Sequence, residues 1–140
     1  MKNLLLIFSV LLFSCQQEIE DPSLRQIRKS ESNQNLDGIQ LYQKHCVACH
    51  QSDALGIKGV FPPIKNSDYF LEDPTRAIQN ILYGQTETIV VNGEKYQGLM
   101  PSIKIKDENL VRLVNHLLED VNGVEDRVSL KDIEWVRQNH

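Results

Sequence analysis

The sequence of 140 residues has no excess of basic charge, no internal repeat and no apolar run long enough to cross a membrane. Acidic residues outnumber Lys and Arg by 19 to 15 and no basic stripe occurs, so nucleic acid is not an expected partner. The longest apolar stretch, within residues 4–13, is shorter than the roughly 20 residues of a membrane-spanning helix. The length and a hydrophobic fraction of 41% suit one small domain and do not suffice for two cores.

That apolar stretch has the composition of an export signal. Lys2 supplies a positive start, and polar sequence follows Cys15 at once. The sequence LLFSC at its end resembles the lipobox of bacterial lipoproteins. The resemblance implies that residues 1–14 are a signal peptide, and that the sulfur and amine of Cys15 carry lipid. A plain cleaved signal peptide and an uncleaved anchor are the alternatives.

Polar sequence separates this signal from the predicted domain. Residues 15–35 are predicted to be the lipidated cysteine and a flexible tether, because they bury too little apolar surface to offset the entropy of ordering. The folded domain is predicted to span residues 36–140. Its first helix is capped by Asp37. The predicted inner face of that helix is Ile39, Leu41, Tyr42 and Cys46.

The segment Cys46-Val47-Ala48-Cys49-His50 holds two of the three cysteines and lies at the end of that helix. A thioredoxin-type redox pair would need the cysteines at a helix start after a strand, where the helix dipole lowers a thiol pKa. Structural zinc would need two further ligands, and the sequence has neither a second Cys-x-x-Cys nor a His-x-x-x-His pair. The sequence around Cys46 and Cys49 therefore favours neither a redox pair nor a zinc site.

The spacing Cys-x-x-Cys-His is the attachment motif of c-type haem. Thiols three positions apart can add to the two vinyl groups of the macrocycle, and His50 then supplies the proximal nitrogen. An export signal agrees with this assignment, because c-type haem is attached outside the cytoplasm. Every cysteine is also used, with Cys46 and Cys49 in thioethers and Cys15 in lipid attachment. The predicted cofactor is one covalent haem c.

Met100 is the predicted second axial ligand. It is the only methionine left once residues 1–14 are removed, and it lies before Pro101, outside any helical pattern. The alternative is a loop methionine that packs on the core. Tyr96 is a candidate contact for a haem propionate, with an ordinary surface tyrosine as its alternative. The remaining histidines are less well placed as ligands: His45, His116 and His140.

From residue 36 to about residue 120 the chain resembles class I mono-haem cytochrome c. The matching segments are GIQLYQKHCVACH, GVFPPIKNSDYF, DPTRAIQNILYG, IVVNGEKYQGLMP and DENLVRLVNHLLED. The resemblance implies an all-α cytochrome c fold, with helices around one covalently bound haem and a short β-hairpin near the distal methionine loop. It implies His50 and Met100 as axial ligands, and Cys46 and Cys49 as attachment points.

The resemblance also implies roles for residues near these ligands. Pro62, with Pro63 as the alternative, offers its carbonyl to the ring N–H of the ligand histidine. Gly38 is expected in close contact with the last core helix. His116 departs from the family, which usually has an aromatic residue there. We expect a packed, hydrogen-bonded His116 that does not bind iron.

Local signals place the remaining elements. Asp73-Pro74 and Gly84 bound a predicted helix. Asn92-Gly93 predicts a hairpin turn between residues 89–91 and 94–96, which is expected to hold the methionine loop. Helical spacing gives one apolar stripe to each of two helices: Ala77, Ile78, Ile81 and Leu82, and then Leu110, Leu113, Val114, Leu117 and Leu118.

The end of the sequence predicts one more helix, over about residues 130–138. Ser129 and Asp132 form a capping box, with Val128 and Ile133 as a hydrophobic staple. Ile133 and Trp135 are expected to pack back on the domain.

Together these features predict a membrane-tethered electron-transfer cytochrome on the periplasmic side of a bacterial membrane, without enzymatic activity of its own. Its partners would be redox proteins, and its lipid anchor would bind the membrane. One alternative is a haem subunit of a larger dehydrogenase, oxidase or nitrite reductase complex. The other is a haem sensor or peroxidase-like protein with a labile Met100.

Overall fold

The computed structural model describes residues 36–140, so the predicted signal peptide, Cys15 and the tether lie outside the described residues. The helices are α1 (Gly38–His45), α2 (Val47–His50), α3 (Asp68–Leu71), α4 (Thr75–Tyr83), α5 (Asp107–His116) and α6 (Leu130–Asn139). A π-helical segment, Leu117–Val121, continues α5, and strands β1 (Ile89–Val91) and β2 (Glu94–Tyr96) form an antiparallel pair. The predicted helical fold with one short hairpin is confirmed. No helix within residues 36–140 is long and apolar enough to cross a bilayer.

Helix α1 begins at a capping box in which Asp37 accepts from the backbone of Gln40 at 2.9 Å. Its inner face contains Leu41 and Tyr42, as predicted. The prediction for Ile39 is wrong, because its side chain is 49% exposed. The buried face of α1 is set by its crossing with α5, and residue 39 lies on the side away from that crossing.

The crossing of α1 and α5 depends on Gly38. A Cβ atom at this position would lie 2.3 Å from Cβ of His116 and 2.7 Å from the carbonyl oxygen of Arg112. Real Cβ atoms do not approach other atoms so closely, so only glycine lets the helices meet at this distance. The close contact expected at Gly38 is therefore present.

The core is built mainly by α5, its π-helical continuation and α4. All five predicted residues of the last core helix are buried: Leu110, Leu113, Val114, Leu117 and Leu118. In α4, Ile78 and Ile81 are buried, whereas Ala77 and Leu82 are partly buried against the same cluster. Each fully buried aliphatic side chain stabilises the fold by about 1.5–3 kcal/mol relative to exposure.

The ends of α4 follow the predicted signals. The Asp73 carboxylate accepts from the backbone of Thr75 at 3.0 Å, and Gly84 ends the helix with φ of 85°. Pro74 is the residue directly before the first helical residue and already has helical backbone angles.

The hairpin has the predicted bounds and turn. Ile89 pairs with Tyr96 and Val91 with Glu94. Both turn residues have positive φ, 52° at Asn92 and 78° at Gly93, which is the conformation of a type I′ turn. The backbone N–H of Asn92 donates to the Asp68 carboxylate at 2.7 Å, and the backbone N–H of Asp68 donates to the side-chain oxygen of Asn92 at 3.0 Å. These two bonds fix the hairpin to α3.

Helix α6 starts at the predicted capping box of Ser129 and Asp132 and packs on α4 and α5. Its buried residues are Ile133 and Val136, and Val128 is buried just before it. The prediction for Trp135 is wrong, because this side chain is 58% exposed. Positions 133 and 136 are one helical turn apart and share a face, so residue 135 points elsewhere.

Candidate functional site

The described domain contains a cavity of about 180 Å³. Protein interiors are normally close-packed, so an apolar cavity of this size is a candidate binding site. Its walls are mainly apolar, and the few polar side chains include Ser67, Asn80, Gln85 and Glu87. The sequence-predicted residues that line it are Cys46, Cys49, His50, Pro62, Tyr96 and Met100.

The turn from α1 to α2 delivers the two cysteines and the histidine. The backbone nitrogens of Cys49 and His50 donate to the carbonyl oxygen of Cys46 at 3.2 and 2.9 Å. One helical turn therefore brings residues 46, 49 and 50 to the same wall of the cavity. Neither cysteine is paired in a disulfide, so both sulfurs are available for thioether bonds to a bound group.

The imidazole of His50 is oriented by a backbone carbonyl. Its Nδ1–H donates to the carbonyl oxygen of Pro62 at 3.0 Å, which leaves Nε2 with a free lone pair. Burial lowers the pKa of His50, while the bond to Pro62 acts in the opposite direction. A neutral imidazole with one oriented lone pair is the form that binds a metal.

Gly56 makes this carbonyl position possible, and sequence reasoning missed it. A Cβ at residue 56 would lie 2.3 Å from the carbonyl oxygen of Phe61 and 2.6 Å from that of Pro62. Its φ of +66° is also a glycine conformation. The loop that follows α2 can therefore fold tightly against the segment that bonds His50. The sequence alone contains no signal for this close contact between residue 56 and residues 61 and 62.

The thiols do not resemble a redox pair or a zinc site. Burial, and then the neighbouring Cys49, raise the pKa of Cys46 to about 12, whereas a reactive dithiol needs a lowered pKa. Among residues 36–140, no group of three or more His, Cys, Asp and Glu residues is arranged to hold a metal ion. The cysteines are suited to covalent attachment of a large apolar group.

Met100 reaches the cavity from a different part of the chain. Its backbone exchanges two hydrogen bonds of 2.8 Å with Gln85, directly after α4. A further bond of 2.8 Å joins the nitrogen of Ile103 to the carbonyl oxygen of Ile81. These bonds hold residues 100–103, the methionine segment, against α4 and the residues that follow it. The sequence had led us to expect that the hairpin would do this.

Tyr96 and His116 occupy different environments. Tyr96 is 6% exposed and lines the cavity, so the interpretation as an ordinary surface tyrosine is wrong. His116 lies at the α1–α5 contact, where its Nδ1 donates to Asp120 at 2.7 Å, and it is not among the lining residues. This is the packed, hydrogen-bonded histidine that we expected.

Sequence reasoning also missed Tyr42 as a support of the site. Its hydroxyl donates to the carbonyl oxygen of Gln51 at 2.6 Å and so fixes the residue that follows His50. The apolar spacing of α1 indicates only that Tyr42 is buried. Nothing in the spacing names the acceptor nine positions away.

The donor set of the cavity fits a covalently attached porphyrin. The two cysteine sulfurs, which are not paired in a disulfide, could form the thioether links, and Nε2 of His50 and the sulfur of Met100 could bind the iron. The apolar walls suit the body of the macrocycle, and Tyr96 and Asn80 are among the residues with polar side chains that line the cavity.

Comparisons with known proteins agree with this fit. A family model described as Cytochrome c matches residues 36–119. A cytochrome c-552 from Thermus thermophilus is 36% identical over 86 residues, which cover 58% of this chain and 65% of the relative. A second cytochrome c-552 of this species has the same identity over 57% of its length. The fructose dehydrogenase cytochrome subunit of Gluconobacter japonicus is 29% identical over 121 residues, 79% of this chain and 24% of that protein. The matches thus span less than two thirds of each of these relatives.

Proposed function

The chain belongs to the class I mono-haem branch of the cytochrome c family, whose members bind haem c covalently, and from this premise we propose that it is a one-electron carrier. A single observation carries the proposal. The two thiols, a neutral imidazole with one free nitrogen and a methionine all line one apolar cavity. If His50 and Met100 both bound the iron, the protein would leave no open position on it for a substrate.

The residues of the chain each contribute to this role. The haem supplies the one-electron iron couple. Cys46 and Cys49 anchor it, and the Pro62 carbonyl holds His50 in one ring orientation and tautomer. A thioether ligand from Met100 would favour the reduced iron and raise the potential, and the apolar walls would disfavour the extra charge of the oxidised form. Tyr96 and Asn80 are proposed to contact the propionates.

The mouth of the cavity is the proposed contact surface for redox partners. Val60 and Leu99 line the cavity and are 52% and 71% exposed. Charges of both signs lie nearby, in Glu87 and in the ion pair of Lys58 with Glu94 at 3.8 Å. An apolar centre with few charges around it suits short-lived docking to another redox protein.

The proposed location is the periplasmic side of a bacterial membrane, where the lipid on Cys15 would hold the carrier. The support is the sequence of residues 1–15 and the requirement that c-type haem be attached outside the cytoplasm. Several acyl chains, at about 0.8 kcal/mol per buried methylene, would make the attachment stable.

A role as a fixed subunit of a dehydrogenase complex is the second candidate. It is favoured by the Gluconobacter relative, a dehydrogenase cytochrome subunit that matches 79% of this chain. Purification in mild detergent from the native cell distinguishes the two candidates. A free carrier elutes without other proteins, whereas a subunit co-purifies with a dehydrogenase in a constant ratio.

The test of the electron-carrier proposal is an optical and redox comparison of wild type with Met100→Ala. Both are produced in a host that matures c-type haem. The wild type should show covalent haem, the weak long-wavelength band of methionine-bound iron, and no binding of carbon monoxide by the reduced form. Met100→Ala should lose that band, bind carbon monoxide and have a lower midpoint potential.

Val90→Ala is the control, since it shortens an exposed apolar residue that does not line the cavity and should keep the spectrum and ligand binding of wild type. Carbon monoxide binding by the wild type would instead support a sensor or peroxidase-like protein. A spectrum and potential unaffected by Met100→Ala would refute the proposed ligation. Free thiols at Cys46 and Cys49 would overturn the haem attachment itself.

A further inference from the structure

The C-terminal helix α6 lies beyond the part of the chain that matches the family. That match ends at residue 119, whereas α6 spans Leu130–Asn139. Ile133 and Val136 are nevertheless buried in the core, and α6 contacts both α4 and α5. The general family domain does not explain what this added helix does.

Residues at the end of α6 contact the last turn of α4. The ring of His140 stacks on Tyr83 with 3.7 Å between centroids and 2° between planes. Nε2 of Gln79, one turn earlier in α4, donates to Nδ1 of His140 at 3.0 Å. Arg137 pairs with Asp107 at the start of α5 at 2.7 Å, which fixes the end of α6 in place.

The same last turn of α4 holds the methionine segment. Gly84 directly follows Tyr83, and a Cβ there would lie 2.9 Å from the carbonyl oxygen of Met100. The next residue, Gln85, exchanges two backbone hydrogen bonds of 2.8 Å with Met100. The position of Met100 is therefore tied to the end of α4 by its own backbone.

Helix ends fray, because their last carbonyl groups lack partners within the helix. Tyr83 is the final residue of α4 and is partly exposed even in the folded domain. A ring stacked on it and a bond to Gln79 oppose fraying at the turn from which Met100 is held. Loss of these contacts would let that turn, and Met100 with it, move away from the cavity.

We propose that α6 is a positioning element for the methionine ligand, which acts through Tyr83 and Gln79 of α4 to keep Met100 at the iron. The inference rests on the proposed ligation of the iron by Met100. It assigns Arg137 and His140 an effect on a ligand that neither residue touches.

The test is a titration of the oxidised full-length holoprotein with imidazole, which competes with methionine for the iron. The band of methionine-bound iron reports the exchange. The variant Arg137→Ala/His140→Ala removes the ion pair and the stacked ring at the surface. We expect its apparent imidazole affinity to rise about three- to tenfold, the size that one exposed ring contact and one exposed ion pair can supply together.

Three control variants separate positioning from general stability. Asn115→Ala removes the 2.9 and 3.1 Å bonds that fix Val128 to α5, without touching α4. It should lower the unfolding midpoint yet leave imidazole affinity within about twofold of wild type. Tyr83→Phe keeps the stacked ring but loses the hydroxyl that interacts with Arg137, so it should lie between wild type and the double variant, while Tyr83→Ala should match the double variant.

An unchanged imidazole affinity in the double variant would overturn the proposal, provided that the wild type shows the methionine band. An equal rise in Asn115→Ala would also overturn it, since the helix would then act only through overall stability. A wild type without the band would instead refute the ligation by Met100, and the positioning role would fall with it.

Discussion

At the scale of single residues, the turn after the candidate iron ligand has an unusual backbone. Gln51 has φ of 62° and ψ of 168°, a region that residues with a Cβ rarely adopt. Its backbone N–H donates to Val47, and its carbonyl oxygen accepts from the Tyr42 hydroxyl at 2.6 Å. These contacts hold the strained turn next to His50. The strained residue is therefore the direct neighbour of His50, which lines the cavity.

We expect Gln51→Gly to stabilise the protein by about 1 kcal/mol. Glycine adopts this conformation without steric cost, and the gain is reduced by the greater freedom of glycine in the unfolded chain. Chemical denaturation of the holoprotein, followed by circular dichroism, measures the change. Gln51→Ala is the control, because it removes the same side chain atoms but keeps the Cβ. A glycine variant no more stable than the alanine variant would show that residue 51 is not strained.

At the scale of elements, the contact between α1 and α5 determines where the haem-attachment segment lies relative to the core. Gly38→Ala would place a Cβ 2.3 Å from Cβ of His116 and 2.7 Å from a backbone oxygen, so the helices must separate. We expect a loss of about 2 kcal/mol in the free energy of unfolding, since overpacking exceeds the helix preference of alanine. Thermal and chemical denaturation would measure it.

Gln43→Ala provides the comparison for this prediction, because residue 43 lies on the same helix and is exposed. Its effect should stay within about 0.5 kcal/mol. If Gly38→Ala were as stable as Gln43→Ala, the two helices would have room that the structure does not give them.

The elements also show what the sequence can and cannot predict. The hairpin, the caps at Asp37 and Ser129 and the stripe of α5 were predictable, because turn chemistry and helical spacing act over a few residues. Ile39 and Trp135 were predicted to be buried but are exposed. Which face of a helix is buried depends on the elements that pack against it, and these are distant in the sequence. The cavity-lining residues Ser67 and Asn80 had no sequence signal for the same reason.

At the scale of the whole molecule, the chain combines three parts with separate proposed roles. The family domain, residues 36–119, holds the cavity, and the added helix α6 is proposed to steady one ligand. The N-terminal residues are proposed to set location only. Because location and haem chemistry reside in different parts, a change in one should leave the other intact.

Cys15→Ser tests this separation. Without the thiol no lipid can be attached, so we expect the variant in the soluble periplasmic fraction, whereas the wild type should require detergent for extraction. Its visible spectrum and midpoint potential should equal those of the wild type, because residue 15 precedes the family domain, residues 36–119, in the sequence.

Ser23→Ala, a change within the predicted tether, is the control for this fractionation and should stay with the membrane. Membrane retention of Cys15→Ser would show that an uncleaved signal or a bound partner, rather than lipid on residue 15, holds the protein there. A high-salt wash of the membranes then separates the two, because a partner bound through exposed charges is released by salt while an apolar anchor is not.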